Sequence, residues 1–551
     1  GEDVYLASEL GRAYVIGSQG TNLNAPDKVA VSLKHYVGYS FPMSGKDRTQ
    51  AWIPERMLRE YFLPMFQTAI AAGAATVMVN SGEVNGIPVH SDRFLLNDIL
   101  RDELQFKGFV VSDWEDVKRL HTRDRVADSP KEAVRMAVMA GIDMSMVPLD
   151  FSFYELLLEL VKEGAVPQSR IDEAVGRILK LKFELGLFEN PYPNRSLKAK
   201  FASAEFTEAS LAAARESITL LKNDGVLPLS KSAKVVVTGP MAASLSVLNS
   251  GWTITWQGDN EALYPKNKLN IVQALQAKLG AEQVVHVPAL ASGHAVEMPA
   301  LTNAINHADV AIVCLGEKAY CETPGNIDNL ALEETQLTLA KEIIKTGKPV
   351  VLVFLGGRPR LITEVVEGAN ALVLGYLPGM EGGRALAEVL VGEVNPSGKL
   401  PFTYPRHANA LMCYDHKPLE AAEGNKYAPL FPFGFGLSYT TFAYRDLKLS
   451  HENLPQNAQL QVSIMVKNTG NRAGKEVVPL YVTDLYGSVS RPVKQLKRFA
   501  KISLAPAEEQ EVKFVLAAED LSFIGRENKR IIEPGQFKIT IGELSQTFTL
   551  K

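Results

Sequence analysis

Residues 108–114 read Gly108-Phe109-Val110-Val111-Ser112-Asp113-Trp114, an apolar run ending on a serine, an aspartate and a tryptophan. Short apolar runs of this kind suit strands buried on both faces. Similar runs stand at 29–33, 75–80 and 142–146, and between them 55–71 and 130–140 carry apolar residues at helical spacing. Strand, helix, strand, helix implies a parallel sheet wrapped by helices. Each strand end carries polar residues: Lys34-His35, Asn80, Asp113 and Ser145. The C-terminal strand ends are where a (β/α)8 barrel builds its site. Only four such strands are legible in 1–189, so the expected fold there is the second half of a (β/α)8 barrel. Four strands leave open edges, which a soluble protein rarely tolerates. The expectation is therefore an N-terminal barrel segment, encoded upstream or carried on a separate chain, without which these residues would be inactive.

The chain has 551 residues, room for three or four domains at about 150 residues each. A Pro-, Asn- and Lys-rich stretch begins at Asn190 and reads as a linker over 190–207. From 208 to 406, apolar runs at 235–238, 284–287, 310–315, 350–355 and 371–375 alternate with helical stretches such as 332–346 and 382–390. That pattern predicts a doubly wound α/β sandwich. Residues 407–450 read as a connecting loop region containing FPFGFGLSYTTF. Within 451–551, alternating runs at 459–467, 474–483, 511–516, 536–541 and 546–551 predict a fibronectin type III-like β-sandwich.

Composition narrows the function classes. Lysine and arginine total 58 against 62 acidic residues, a net charge of −4, so the basic excess of a nucleic-acid binder is missing. No run of 18 apolar residues occurs, and no membrane partner is expected. Three cysteines, Cys314, Cys321 and Cys413, do not make a disulfide scaffold. Walker A, HExxH and GxSxG sequences are missing, and the nine histidines form no metal-ligand spacing. Carboxylates and their neighbours remain.

Asp113 follows a buried strand, with Trp114 beside it to stack on an apolar face such as a sugar ring; the alternative is an aspartate capping the next helix. Glu115 and Asp116 read as first-turn acids of that helix. Lys34-His35 could donate to hydroxyls, or be a solvated lysine beside a core histidine. Glu317 and Glu322, in the Gly- and Pro-containing loop 316–325, could supply a general acid or be surface acids. An aspartate and a glutamate on neighbouring domains suit glycosidic bond hydrolysis, and other acid–base chemistry as well.

An ordered set of motifs goes further. KHYVGYS at 34–40, LRDELQFKGFVVSDWEDV at 100–117, AGIDMSM at 140–146, LLKNDGVLPL at 220–229, NPSGKLPFTYP at 395–405 and PFGFGLSYTTF at 432–442 together resemble glycoside hydrolase family 3, the three-domain β-glucosidases. The resemblance implies a retaining exo-acting β-D-glucosidase that releases terminal glucosyl residues from short glucosides such as cello-oligosaccharides. It implies Asp113 as nucleophile, Glu322 as acid/base with Glu317 in reserve, and roughly 5–5.5 Å between the two carboxyl groups. It also implies Lys34 and His35 on the sugar hydroxyls and Trp114 on the aglycone side. Trp252 and Trp256 are expected to pack within the second domain rather than line the cleft.

There are departures. Ser81 stands where the family commonly has a tyrosine that steadies the nucleophile, and the family's sugar-gripping Asp and Arg are not located. The loop YVGYSFPMSGKD differs from the KHFPGHGD of the family's N-acetylglucosaminidases. The rival readings are another exo-β-glycosidase such as a β-xylosidase, or a non-catalytic carbohydrate-binding relic. No metal or organic cofactor is implied. A homodimer is admitted, and a periplasmic or secreted location is expected. The loop 486–492, with Arg491, is read as a plain hairpin connection that could otherwise reach an active site.

Overall fold

In the computed structural model, all residues are described except 1, 290–297, 411, 422, 423 and 425, so part of the 407–450 loop lies outside the described residues. The chain divides into two compact units. The first holds Asp3–Ala199 together with Phe523–Ile531; the second holds Lys200–Ser522 and Ile532–Lys551, with Glu2.

The first unit contains a three-stranded parallel sheet in the order Ser32–Tyr36, Thr76–Val79, Phe109–Val111. Val77, Val79 and Val110 are fully buried against Leu95, Leu96, Ile99 and Leu100 from the amphipathic π-helix Phe94–Glu103. The expected first strand is shifted: it covers Ser32–Tyr36, not 29–33, so Lys34 and His35 lie within the strand instead of after it. The expected strand at 142–146 forms only one parallel bridge, Val111 to Met144. Asp143 explains this. Its carboxylate turns inward to Arg101 (2.7 Å), Arg170 (2.9 Å), Arg177 (2.9 Å) and the Val110 N–H (2.9 Å). A charge with no exposure is tolerable because it is paired on every side, and its carboxylate takes the Val110 N–H beside the backbone bonds from the Met144 N–H to Val110 and from the Ser112 N–H to Met144.

The helix expected over 55–71 is broken into Glu55–Met57, a π turn at Leu58–Phe62, and Leu63–Ala71. Pro64 lacks the N–H that would continue the ladder, and the helix absorbs the missing bond as a bulge. The hairpin strands Phe523–Ile524 and Arg530–Ile531 were expected in the third domain, yet they belong to this unit. Ile524 N–H donates to Glu60 Oε2 at 2.6 Å, and Phe523 is buried.

In the second unit a six-stranded sheet runs Thr219–Asn223, Ala371–Tyr376, Val350–Leu355, Val310–Gly316, Val235–Thr238, Val284–His286. All neighbours are parallel except the antiparallel edge strand Thr219–Asn223, which sequence reading missed. The unalternated Val/Ile runs feed two cores at once. Val351, Val353 and Leu355 face one cluster with Val235 and Ile312, while Val350, Leu352 and Phe354 face another with Val236 and Ala311. Burial on both faces is why these runs read so clearly as strands.

The remainder of the unit is a β-sandwich of a three-stranded and a five-stranded sheet around a core that includes Val462, Ile464, Leu480 and Ile539. Its first long strand, Phe442–Leu449, lies inside the region expected to be a loop, and Gln495–Leu504 was also unforeseen. Gly474–Asp484 pairs antiparallel with Gln495–Leu504, so 485–494 is their hairpin connection. Arg491 in it is buried, 3.2 Å from Asp484 Oδ2.

Candidate active site

The sheet of the first unit delivers Asp113 two residues beyond the end of Phe109–Val111. The helix that follows begins at Asp116, with Glu115 as its left-handed cap residue, so Asp113 is not the helix cap. Its carboxyl is buried, and its two oxygens differ. Oδ1 accepts the Trp114 N–H at 2.6 Å. Oδ2 has no hydrogen-bond partner among the described residues, although His35 Nε2 lies 3.5 Å away. A buried carboxylate oxygen left without a donor is costly, and it keeps a lone pair available for chemistry.

Sequence reading did not single out His90, which holds the backbone of this residue. The Asp113 N–H donates to His90 Nε2 at 3.1 Å, which makes that nitrogen the acceptor of a neutral ring. Burial drives the His90 pKa down to about 4, consistent with neutrality. His90 Nδ1 is 3.9 Å from Asp116 Oδ2, and Asp116 is fully buried, with its carboxyl pKa raised by that burial. Ser81, buried where the family resemblance expected a tyrosine, accepts from Arg48 Nε (3.1 Å) and Arg123 Nη1 (3.4 Å). On the other side, Tyr39 packs its ring 4.4 Å from His35 and donates to Asp47, and burial with that bond holds its phenol protonated. Asp116 and Ser81 were noted in the sequence, whereas His90, Arg48 and Arg123 carried no local signal.

Lys34 and His35 line a cavity of about 310 Å³ with Tyr39, Ser40, Phe62 and Phe66; Asp113 does not. Trp114 is half exposed, its ring free to meet a ligand while its N–H fixes Asp113.

The second unit carries the glutamates. Gly316 ends the strand Val310–Gly316 with φ +148°, where a Cβ would sit 1.7 Å from the Leu355 carbonyl oxygen, so the loop leaves the sheet where only glycine fits. Glu317 is engaged: its carboxylate accepts from Arg358 Nε at 3.0 Å, lies 3.6 Å from Arg360, and receives the Tyr320 hydroxyl at 3.4 Å. The Tyr320 phenol, pushed up to about 12 by burial and by Glu317, lies under the Arg358 guanidinium at 4.0 Å. Glu322 is half-buried and caps the short turn Thr323–Gly325. Its backbone has φ 53° and ψ −149°, a region that is essentially glycine-only. Trp252 and Trp256 are not packed away as expected, being 65% and 47% exposed; the loop bearing them turns outward through positive φ at Trp252 and Ile254.

Residues 1–181 match the family model for the glycosyl hydrolase family 3 N-terminal domain, 218–439 that for its C-terminal domain, and 476–545 that for a fibronectin type III-like domain. A lysosomal beta glucosidase of Dictyostelium discoideum is 44% identical over 98% of this chain and 69% of its own length. The chain belongs to glycosyl hydrolase family 3. It is a glycoside hydrolase with the barrel, α/β-sandwich and fibronectin type III-like content expected above. A periplasmic beta-glucosidase of Salmonella typhimurium is 35% identical over 98% of this family 3 chain and 75% of its own length. A beta-xylosidase of Formosa agariphila is 35% identical over 100% and 79%. The solved beta-glucosidase of Listeria innocua in complex with isofagomine superposes with TM-score 0.93 at 33% identity, covering 100% of this chain and 79% of that one. These relatives take in the whole of the chain, so the expectation of a barrel segment on a separate chain finds no support.

Proposed function

We propose that this family 3 hydrolase is a retaining exo-β-D-glucosidase acting on terminal non-reducing glucosyl residues of short glucosides such as cello-oligosaccharides. The observation that carries the reading is the buried Oδ2 of Asp113, unpartnered among the described residues and backed by a fixed Oδ1. In the proposed cycle Oδ2 attacks the anomeric carbon while the glycosidic C–O bond breaks, and the departing oxygen takes its proton from Glu322. Glu322, now a carboxylate, removes a proton from water; that water attacks the same carbon and the Asp113 carboxylate leaves. Glu317 is the weaker candidate for this role because its carboxylate is already taken up by Arg358, with Arg360 close by. Lys34 and His35 hold sugar hydroxyls and Trp114 meets the aglycone. The names of the lysosomal and periplasmic relatives support a periplasmic or secreted location.

A second reading, a β-xylosidase, is favoured by the Formosa relative. Comparing p-nitrophenyl β-D-glucoside with the β-D-xyloside on the full-length protein separates the two. The NMR anomer first released tests retention: β product supports the proposal, α product overturns it.

A further inference from the structure

We infer that Gln257 is a positioning residue for Glu322, acting through the peptide groups of Cys321. The inference rests on the acid/base role proposed for Glu322.

Glu322 occupies a backbone conformation that side chains avoid, and such a conformation persists only where its surroundings over-determine it. On its C-terminal side the Gly325 N–H donates to the Glu322 carbonyl at 2.8 Å and closes a turn. On its N-terminal side stands Cys321, and both backbone polar groups of Cys321 are held by one side chain. Gln257 Oε1 accepts the Cys321 N–H at 3.1 Å, and Gln257 Nε2 donates to the Cys321 carbonyl at 3.3 Å. The Cys321 thiol adds a third bond, to the Trp256 carbonyl at 3.1 Å. The amide of a glutamine can both donate to and accept from one residue's backbone, imitating a strand partner where no strand runs.

The loop carrying Gln257 is itself braced. The Trp252 N–H donates to the Trp256 carbonyl at 2.7 Å, and Gly258 N–H to Thr255 Oγ1 at 3.1 Å. The Tyr264 hydroxyl donates to the Gly258 carbonyl at 2.6 Å. Gly251 completes the fit: a Cβ there would lie 2.5 Å from the Cys321 Cβ. The two loops are separated by 64 residues in sequence and locked together by Gln257. Cutting that lock lets residue 322 relax toward an ordinary backbone conformation and swings its carboxyl away from its working direction.

The test exploits leaving-group chemistry. A 2,4-dinitrophenolate departs without protonation, whereas the alcohol of cellobiose needs the acid. In the full-length protein, Gln257→Ala is expected to lose about 100-fold in kcat/KM on cellobiose, the scale of an ångström-sized misplacement. It should lose less than about threefold on 2,4-dinitrophenyl β-D-glucoside. Gln257→Glu, which keeps the acceptor and loses the donor, should fall between it and the wild type and provides the same ratio if the alanine variant does not fold. Equal losses on both substrates would overturn the inference, because a general loosening of the fold makes no such distinction. Glu322→Gln is the control: if it too loses equally on both substrates, the acid/base reading itself fails. If Glu322→Gln discriminates and the Gln257 variants do not, only the positioning role falls.

Discussion

Asp113 and Glu322 are carboxyl groups held in opposite ways. Asp113 is buried, its N–H fixed by a neutral His90 and one oxygen fixed by Trp114, in a region built around ionic and hydrogen-bonded partners. Glu322 is half-buried on a loop, in a strained conformation secured through its neighbours' peptides. The difference matches what each proposed task demands. A nucleophile must keep one aim through two bond-making steps. An acid/base must exchange protons with solvent every turnover, so it is braced by its backbone and left accessible.

The contrast can be broken most severely at Asp113. Asp113→Asn is expected to lower kcat by about 10⁴-fold without lowering the thermal midpoint, since it removes a buried charged oxygen that has no hydrogen-bond donor among the described residues. A large fall in that midpoint would show that Asp113 is a structural residue. Glu322→Gln should cost between about 10² and 10⁴ on substrates with poor leaving groups, and the basic limb that a general acid is expected to give the wild-type kcat/KM profile should vanish. A pH profile that keeps its basic limb would shift the acid to another group, Glu317 first.

The rigidity of the first unit is tested at Asp143, which faces Arg101, Arg170 and Arg177. Asp143→Ala leaves those guanidiniums uncompensated and is expected to cost about 3–5 kcal/mol in denaturant unfolding; a cost below about 1 kcal/mol would refute the assigned bracing.

His90 gives the smallest effect and one with a definite sign. Its pKa in the folded protein is about 4, below the ordinary 6.5. Between these values the unfolded chain binds a proton that the folded one refuses. Stability is therefore complete above pH 6.5 and declines as pH falls toward 4, by up to about 3 kcal/mol. His90→Gln, which can still accept the Asp113 N–H, should flatten the thermal midpoint across that window. An unchanged slope would mean that other groups carry the acid sensitivity.

Much of this architecture was legible because burial on both faces writes itself as unbroken apolar runs. Val235–Thr238 and Val350–Leu355 were located to the residue for that reason. Asp113 was legible because it ends such a run. Elements whose stability comes from elsewhere were not. The strand Phe442–Leu449 is mostly exposed along one side, and its partner Leu460–Asn468 supplies the order. The hairpin Phe523–Ile531 is apolar at its start for the sake of the first unit, which no local pattern declares. The site divided in the same manner. Glu322 was proposed through motif resemblance, but Ser81 with Arg48 and Arg123, or Gln257 with Cys321, are pairs separated by 33, 42 and 64 residues. Only folding brings them together.

The central claim is that Asp113 Oδ2 becomes covalently bonded to sugar. Incubating the full-length protein with a 2-deoxy-2-fluoro-β-D-glucosyl substrate that carries an activated leaving group, followed by peptide mass spectrometry, tests this directly. The account predicts one fluoroglucosyl group per chain, on the peptide containing Asp113 and absent from Asp113→Asn. A label on another carboxylate, or full turnover with no trapped ester, would contradict it.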